Sequence, residues 1–412
     1  MKKERLLLRL LLLFSVLFVC YLDGLPCTVA AVSGKATPDG RPLLWKNRDT
    51  TAVANKVVYV KGEKYGFIAL INAGDVKIEN AWAGINSEGF AIMNAASSDL
   101  ATGEEAMNDN GRFMREALGR CADVSDFERL LNATEGKRRV GANFGVIDAR
   151  GNASIYETSS TSHVKFDTND PRVAPQGYII RTNFAYTSQE KDGGGGYIRF
   201  ERASRLFEAA YAEKGLDFRF ILQQAARDLV NEKLHSYPLS RLGAHDPSSP
   251  VYINTNDTIN RNSTVSAVLF QGAPSEEKAY LATMWVILGQ PICSVALPLW
   301  AHAGVVPEVL DGAGTSALND LSRALGSFLY PDRRGHMVQY LNVSRLLQYG
   351  GQGVLHKLYG IENQIFTRTR ARLKQWKDQK PSKEEMASFE EKMAKWAFES
   401  LRNAFPDIKA KD

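Results

Sequence analysis

The chain has 412 residues, of which 44% are hydrophobic and 24% charged, a globular composition that excludes wholesale disorder and fibrous repeats. Its net charge is +5, and the first 26 residues hold four Lys/Arg against two Asp/Glu, so +3 remains without them. Spread over this length, that gives no case for nucleic acid or an anionic membrane surface as partner, and the length itself fits one large domain or two.

The chain opens on the basic "MKKER", followed by the apolar "LLLRLLLLFSVLFVC", which Arg9 interrupts. This is the build of a secretory leader and is short for a membrane span. Residues 1–26 are therefore expected to be a signal peptide or propeptide on an exported, periplasmic or secreted protein. An uncleaved leader acting as an anchor is the lesser reading, and a lipoprotein site at Cys20 is disfavoured by the large Val19 before it.

From Cys27 the pattern turns strand-rich. "CTVAAVSG" and "LLWKNRDT" read as a hairpin bending at Asp39-Gly40, "KVVYVKG" and "YGFIALIN" follow, and "WAGINSEGFAIMNAA" is a second hairpin around Ser87-Glu88-Gly89. Residues 112–132 change to helical spacing through Phe113, Ala117, Leu118, Phe127, Leu130 and Leu131. "NFGVIDARGNASIYET" returns to a hairpin at Ala149-Arg150-Gly151, and the strand "GYIIRTNFAY" runs into the polar "TSQEKDGGGG", read as a loop and candidate lid. Helices are expected over 198–212 and 218–231, and strands in "STVSAVLFQG" and "AYLATMWVILG". From about Leu341 the chain is helical and charged. Ser382 and Glu385 form a capping box there, and Met386, Phe389, Met393 and Trp396 form an apolar stripe for helix packing or, as the lesser reading, a homo-oligomer surface. Hairpins with segregated helices and no regular βαβ alternation indicate an α+β fold.

A cysteine at a processing boundary carries a particular chemistry. Once Cys27 is the first residue, its α-amine, with a reference pKa of about 7.7–8, is a base attached to the residue that bears the thiol. Such a pair needs a buried counter-charge for the amine and donors for an acyl-transfer oxyanion. "WKNRDT" offers Lys46 and Asp49, with period-2 alternation sending Arg48 to the face opposite Asp49. Asn94 and Asn183 each close an apolar strand. Singly, such residues are turn formers or surface pairs; together with Cys27 they become site candidates. Without the leader the cysteines are Cys27, Cys121 and Cys293, an odd number for an exported chain. Either Cys121 pairs with Cys293 and leaves Cys27, or both are reduced, buried and inert.

Read in order, "CT" at 27–28, "KNRD", "GINSEGFAIMNAA", "GANFGVIDARGNASIYE", "RTNF" and "YIRFERASRLF" resemble the N-terminal-nucleophile hydrolases that cleave linear amide C–N bonds. The likeness is to the choloylglycine hydrolase and penicillin V acylase group, and more to the acyl-CoA:6-aminopenicillanic acid acyltransferase family. It implies a four-layer αββα sandwich of two antiparallel sheets over 27–340, with a C-terminal helical extension over 341–412. It also implies a precursor that cuts itself before Cys27, Cys27 as nucleophile, Asp49 holding its α-amine, Asn94 and Asn183 around the oxyanion, and Arg199 close to the nucleophile. Lys46 stands where the choloylglycine group has arginine; it keeps the charge but loses the planar fork, which favours the acyltransferase-like branch. Trp82, Phe90, Phe144 and Phe184 are candidates for an apolar acyl pocket.

The expected substrate is a small N-acyl amide, with no cofactor. No metal is expected, since the six histidines are scattered and the cysteines lack ligand spacing. The rival reading is a non-catalytic secreted binding protein on the same fold, with Cys27 in a disulfide.

Overall fold

The computed structural model describes residues 27–100, 109–188, 195–231, 233, 250–331, 340–348 and 353–409. Residues 1–26, with Arg9, Cys20 and Pro26, lie outside the described residues, as does most of the stretch "TSQEKDGGGG".

Strands β1 (Cys27–Val32) and β2 (Leu43–Asp49) form the first hairpin, and Gly40 in its connection takes a positive φ of 73°. Seven strands then run as an unbroken meander: β3 (Asn55–Val60), β4 (Phe67–Asn72), β5 (Ala83–Asn86), β6 (Ala91–Ala96), β7 (Ala142–Ile147), β8 (Ala153–Thr158) and β9 (His163–Asp167). Asn86 and Asp148 set two of its turns, each side-chain oxygen accepting from two backbone N–H groups across the bend. Further on come β10 (Tyr178–Arg181), β12 (Thr264–Gln271), β13 (Thr283–Leu288) and β14 (Leu297–Leu299), while β11 (Tyr252–Asn254) and β15 (Tyr340–Asn342) make a separate ribbon. The second main sheet has the order β10-β1-β2-β12-β13-β14, and every pairing in both sheets is antiparallel.

The two sheets pack face to face, β1 and β2 lying over β6 and β7. Helix α1 (Asn110–Arg120) covers β5 and β6 from outside, and α2 (Val124–Ala133) completes that layer. The other sheet is covered by α3 (Tyr197–Ala212) on β1 and β10, α4 (Phe218–Gln223) on β12, and α5 (Ala317–Leu329) on β13. After the short α6 (Val343–Leu347), α7 (Val354–Asp378) and α8 (Lys383–Ala404) pack on each other and along the β14 side. The architecture is the αββα sandwich.

Both sheets are covered on both faces, so nearly every strand residue is buried, and alternation sorts side chains between an inner and an outer core instead of between core and water. In β2, Lys46 and Arg48 reach the opposing sheet, while Trp45 stacks on Phe207 of α3 at 5.9 Å and Asn47 donates to the carbonyls of Ala226 and Ile259 on the helix side. The tail is tied in by an ion pair: Arg227 meets Glu362 of α7 through two 2.8 Å contacts, both side chains buried.

Three expectations are corrected. The helix over 218–231 ends at Gln223, followed by a short 3-10 turn at Ala225–Arg227. There Asn47 captures the Ala226 carbonyl and Arg227 turns inward to Glu362, so tertiary partners replace helical bonds. The strand expected in "AYLATMWVILG" is confined to Thr283–Leu288, its start being a 3-10 segment, Glu276–Leu281. Of the two states left open for Cys121 and Cys293, the structure has the reduced one: each is a buried thiol, one under α1 and α2, the other in the core beneath α5. In the tail, Ser382 caps α8 by accepting from Glu385 N, but the Glu385 carboxylate takes the Trp376 indole N–H at 2.8 Å instead of closing the box. Met386 and Met393 of the apolar stripe are buried within the protomer. Among the described residues no helix is long and apolar enough to cross a membrane.

Candidate active site

The β1–β10 ladder ends at Val29↔Arg181, which puts Cys27 opposite Asn183. There the side chain takes over from the backbone. Asn183 turns its own N–H to Gly195 O at 3.0 Å and offers Oδ1 to Cys27 N at 2.9 Å. Its Nδ2 donates to Ala96 O at the end of β6, 2.8 Å away, which fixes which way the amide faces and bridges the two sheets.

Arg199 holds this arrangement from α3. Nη2 donates to Asn183 Oδ1 at 2.8 Å, and Nη1 donates to Cys27 O at 2.6 Å and Thr28 Oγ1 at 2.9 Å. Both main-chain polar atoms of Cys27 are thus bound by one side-chain pair. The guanidinium gets this close because residue 196 is glycine: with φ of 82° at the head of α3, a Cβ there would lie 2.3 Å from Arg199 Nη2. Burial holds the Arg199 pKa below its usual value, opposed by the Asp49 carboxylate.

On the inner face, Cys27 pairs directly with Arg48 and Val29 with Lys46, so Lys46 is the diagonal neighbour of Cys27. Lys46 Nζ donates to Asn94 Oδ1 at 2.8 Å and Trp82 O at 2.9 Å, capping the open end of the β5–β6 ladder. Burial pushes its pKa down to about 8, with Cys27 and Asp49 resisting and Arg48 adding to the fall. Arg48 donates to Asn55 and Asn72 and lies over the Trp82 ring, 5.0 Å from its centroid. Its pKa falls to about 10, again mainly through burial.

Asp49 faces the other way. Its Oδ1 accepts from Thr264 Oγ1 at 2.6 Å, while Oδ2 is buried with no hydrogen-bond partner. Burial lifts its pKa to about 6 against the pull of Arg199, Arg261, Thr264 and Lys46. A buried carboxylate oxygen left without a hydrogen-bond partner is a vacant acceptor.

The structure therefore brings Cys27, Lys46, Asn183 and Arg199 into one cluster, with Asp49 beside it on the helix-facing side and Asn94 joined through Lys46. Trp82 enters it by its carbonyl and ring. Phe144 does not: it is wholly buried among Phe113, Phe127 and Tyr156 beneath α1 and α2, as is Phe90 near Phe127. Phe184 follows Asn183 but packs with Tyr186, Tyr197 and Phe200, its carbonyl accepting from Asn143. Sequence reading named Arg48 beside Lys46 and Asp49 without giving it a role, and passed over Thr28 and Thr264 as site residues. For Arg48 the signal was present, two residues from Lys46 on the same face; for Thr264 it was not, since its contact with Asp49 spans 215 residues of sequence. Among the described residues no group of three or more His, Cys, Asp or Glu could hold a metal.

The αββα sandwich is the architecture expected from the resemblance to the N-terminal-nucleophile hydrolases, and the cluster lies at the start of its first strand. Residues 36–232 match the family model described as acyl-coenzyme A:6-aminopenicillanic acid acyl-transferase. Similar solved structures include an N-acylethanolamine-hydrolyzing acid amidase ortholog from Caenorhabditis elegans, with 13% identity over 63% of this chain and 100% of that one, at a TM-score of 0.40. A mutant of conjugated bile acid hydrolase from Clostridium perfringens has 12% identity over 66% and 92%, TM-score 0.40. Penicillin V acylase from Agrobacterium tumefaciens has 12% identity over 66% and 86%, TM-score 0.38. No curated protein matches the sequence.

Proposed function

We propose that the protein is an exported amidase or acyltransferase whose nucleophile is Cys27, freed as the N-terminal residue when the first 26 residues are lost. The observation that carries this reading is the grip on the Cys27 main chain: nitrogen to Asn183 Oδ1, carbonyl oxygen to Arg199, with the unpaired Asp49 Oδ2 beside them. A plain strand residue needs no such side-chain clamp; an α-amine that must stay oriented as a base does.

In the reaction, the α-amine accepts the Cys27 thiol proton and the sulfur attacks the carbonyl carbon of an N-acyl amide. The tetrahedral oxyanion forms on the side of Lys46 and Asn94, with Lys46 as its positive charge. Collapse breaks the C–N bond, and the leaving nitrogen takes the proton back from the α-ammonium. The thioester on Cys27 then passes its acyl group to water or to another amine, regenerating the thiol. Asn183 Oδ1 and Asp49 Oδ2 stabilise the ammonium form between these steps. The Trp82 indole N–H, buried and unpaired, is a further donor beside the cluster.

A binding protein with Cys27 in a disulfide gains no support from Cys121 or Cys293, which are both thiols in other parts of the core. The test is turnover of a panel of N-acyl amides, including N-acylethanolamines, conjugated bile acids and penicillin V, by wild type and Cys27→Ser, alongside the intact mass of the recovered chain. The reading expects a chain starting at Cys27 and at least about 100-fold slower hydrolysis by the serine variant. Equal turnover by both sinks it.

A further inference from the structure

In the uncut chain the base proposed above does not exist. The Cys27 nitrogen is then an amide, donating its one hydrogen to Asn183, and an amide nitrogen takes no proton at ordinary pH. If the chain cuts itself before Cys27, another group must accept the thiol proton. Among the described residues, the charged groups that interact with Cys27 are Lys46, Arg48 and Arg199, with Asp49 beside them. Arg48 and Arg199 are guanidinium groups that stay protonated in proteins. Asp49 has an unpaired Oδ2, but Cys27 pairs with Arg48, so the Asp49 side chain leaves β2 on the opposite face from the thiol, toward the helix layer, where its Oδ1 accepts from Thr264. From the opposing sheet, the residues that meet Lys46 and Arg48 are Trp82, Asn94, Asn55 and Asn72, none of which titrates. Lys46 remains.

We propose that Lys46 accepts the Cys27 thiol proton in the uncut chain and so starts the self-cleavage that frees the N-terminus. This rests on the assignment of Cys27 above. The geometry is specific to an amine. Nζ has two acceptors, Asn94 Oδ1 and Trp82 O, and no carboxylate among the described residues lies within ion-pair distance of it. A neutral amine has two N–H bonds and one lone pair, so Lys46 can lose its third proton without breaking either hydrogen bond. An ammonium paired to a carboxylate could not do so cheaply. Strand pairing makes Lys46 the diagonal neighbour of Cys27 on the shared inner face, and the two side chains interact electrostatically. The burial that lowers the Lys46 pKa supplies the neutral form near neutral pH.

The step balances as an N-to-S acyl shift. The thiol proton passes to Lys46 Nζ, and the thiolate attacks the carbonyl carbon of residue 26. The C–N bond to Cys27 breaks as Lys46 returns the proton to the departing nitrogen, leaving residue 26 as a thioester on Cys27 Sγ. Water then cleaves the thioester, releasing a carboxylate on residue 26 and a free thiol and α-amine on Cys27. No oxidant or external nucleophile other than water is required. An arginine at this position keeps the charge but cannot serve, so the lysine that departs from the choloylglycine pattern acquires a function.

The test follows the cleavage of full-length chain made by cell-free translation, by mass spectrometry, from about pH 6 to about 9.5, a range that brackets the titration of a buried amine. For wild type, the rate should rise with pH and level off near pH 8, where Lys46 titrates. Lys46→Arg should cut at least about 100-fold more slowly, and in Lys46→Ala small primary amines such as methylamine should restore cutting in proportion to their free-base concentration. Cutting by Lys46→Arg within about threefold of wild type, with the same pH profile, overturns the proposal while leaving Cys27 as nucleophile. If the variants do not fold, the wild-type profile decides: a rate that does not level off near pH 8 overturns it. A wild-type chain that does not cut at all, behaving as Cys27→Ala does, overturns both this proposal and self-exposure of Cys27.

Discussion

Removing the Asn183 side chain tests the clamp on Cys27 quantitatively. Oδ1 accepts from Cys27 N at 2.9 Å and from the buried Arg199 guanidinium at 2.8 Å, and Nδ2 donates to Ala96 O at 2.8 Å. A hydrogen bond to a charged group is worth about 1.5–3 kcal/mol and a neutral one about 0.5–1.5, so Asn183→Ala should cost about 3–5 kcal/mol of stability. Arg199 would be left buried with only Cys27 O and Thr28 Oγ1 among these partners. Urea unfolding by linear extrapolation, in a Cys27→Ala background so that no chain is cut, isolates this term from processing. Asn183→Asp, which keeps an accepting oxygen for Cys27 N and Arg199 but loses the donor to Ala96 O, should lose less. In the catalytically intact background Asn183→Ala should also lower kcat/KM at least about 100-fold, because the amine loses its orientation. A stability change below about 1 kcal/mol with turnover within about threefold of wild type would refute the reasoning, since it would mean that the contacts at Cys27 hold nothing in place.

Three further outcomes follow from the same geometry. Asp49 has its folded pKa raised to about 6 from 3.8, so the folded chain holds a proton that the unfolded chain releases between these values. Stability of the uncut Cys27→Ala chain should therefore be highest below about pH 4 with respect to this group and fall, by on the order of 2–3 kcal/mol, as pH rises through about 6; Asp49→Asn should flatten that slope in urea titrations, and an unchanged slope would contradict the assignment. Glu362→Ala, which strands the buried Arg227, should destabilise by about 3–5 kcal/mol, whereas the double replacement Arg227→Met with Glu362→Leu should recover much of the loss, both read by urea unfolding. Cys121, whose pKa burial pushes up to about 12, and Cys293, raised further by the same cause, should take up no iodoacetamide in native protein at neutral pH, as peptide mass mapping will show.

The strands and their turns were legible because period-2 runs and turn residues such as Gly89 and Gly151, both with positive φ, are local signals. The side to which each residue points was not. In a sandwich with helices on both outer faces, Phe144 and Leu44 look alike in sequence, yet one faces the outer core and the other lies between the sheets. An acyl pocket read from aromatic strand residues therefore drew in Phe144 and Phe90, which belong to the helix-covered layer. Helix α5 was missed although Ser316 caps it and Leu318, Leu321, Leu325 and Leu329 mark one buried face. The helix over 218–231 failed for the opposite reason: its spacing was helical, but Asn47 and Glu362, distant in sequence, bind the residues that would have continued it. Cys27, Asn183 and Arg199 were singled out through motif order, and their contacts through 156 and 172 residues of separation could only be seen in three dimensions.

The central claim is that Cys27 becomes the chain's first residue and carries the acyl group. Rapid acid quenching during turnover of a cleaved N-acyl amide, followed by peptide mass mapping, tests it most directly. The account predicts a peptide that begins at Cys27 and bears the acyl mass as a hydroxylamine-labile thioester. An acyl group found on another residue, or fully active enzyme in which residue 26 is still joined to Cys27, would contradict it.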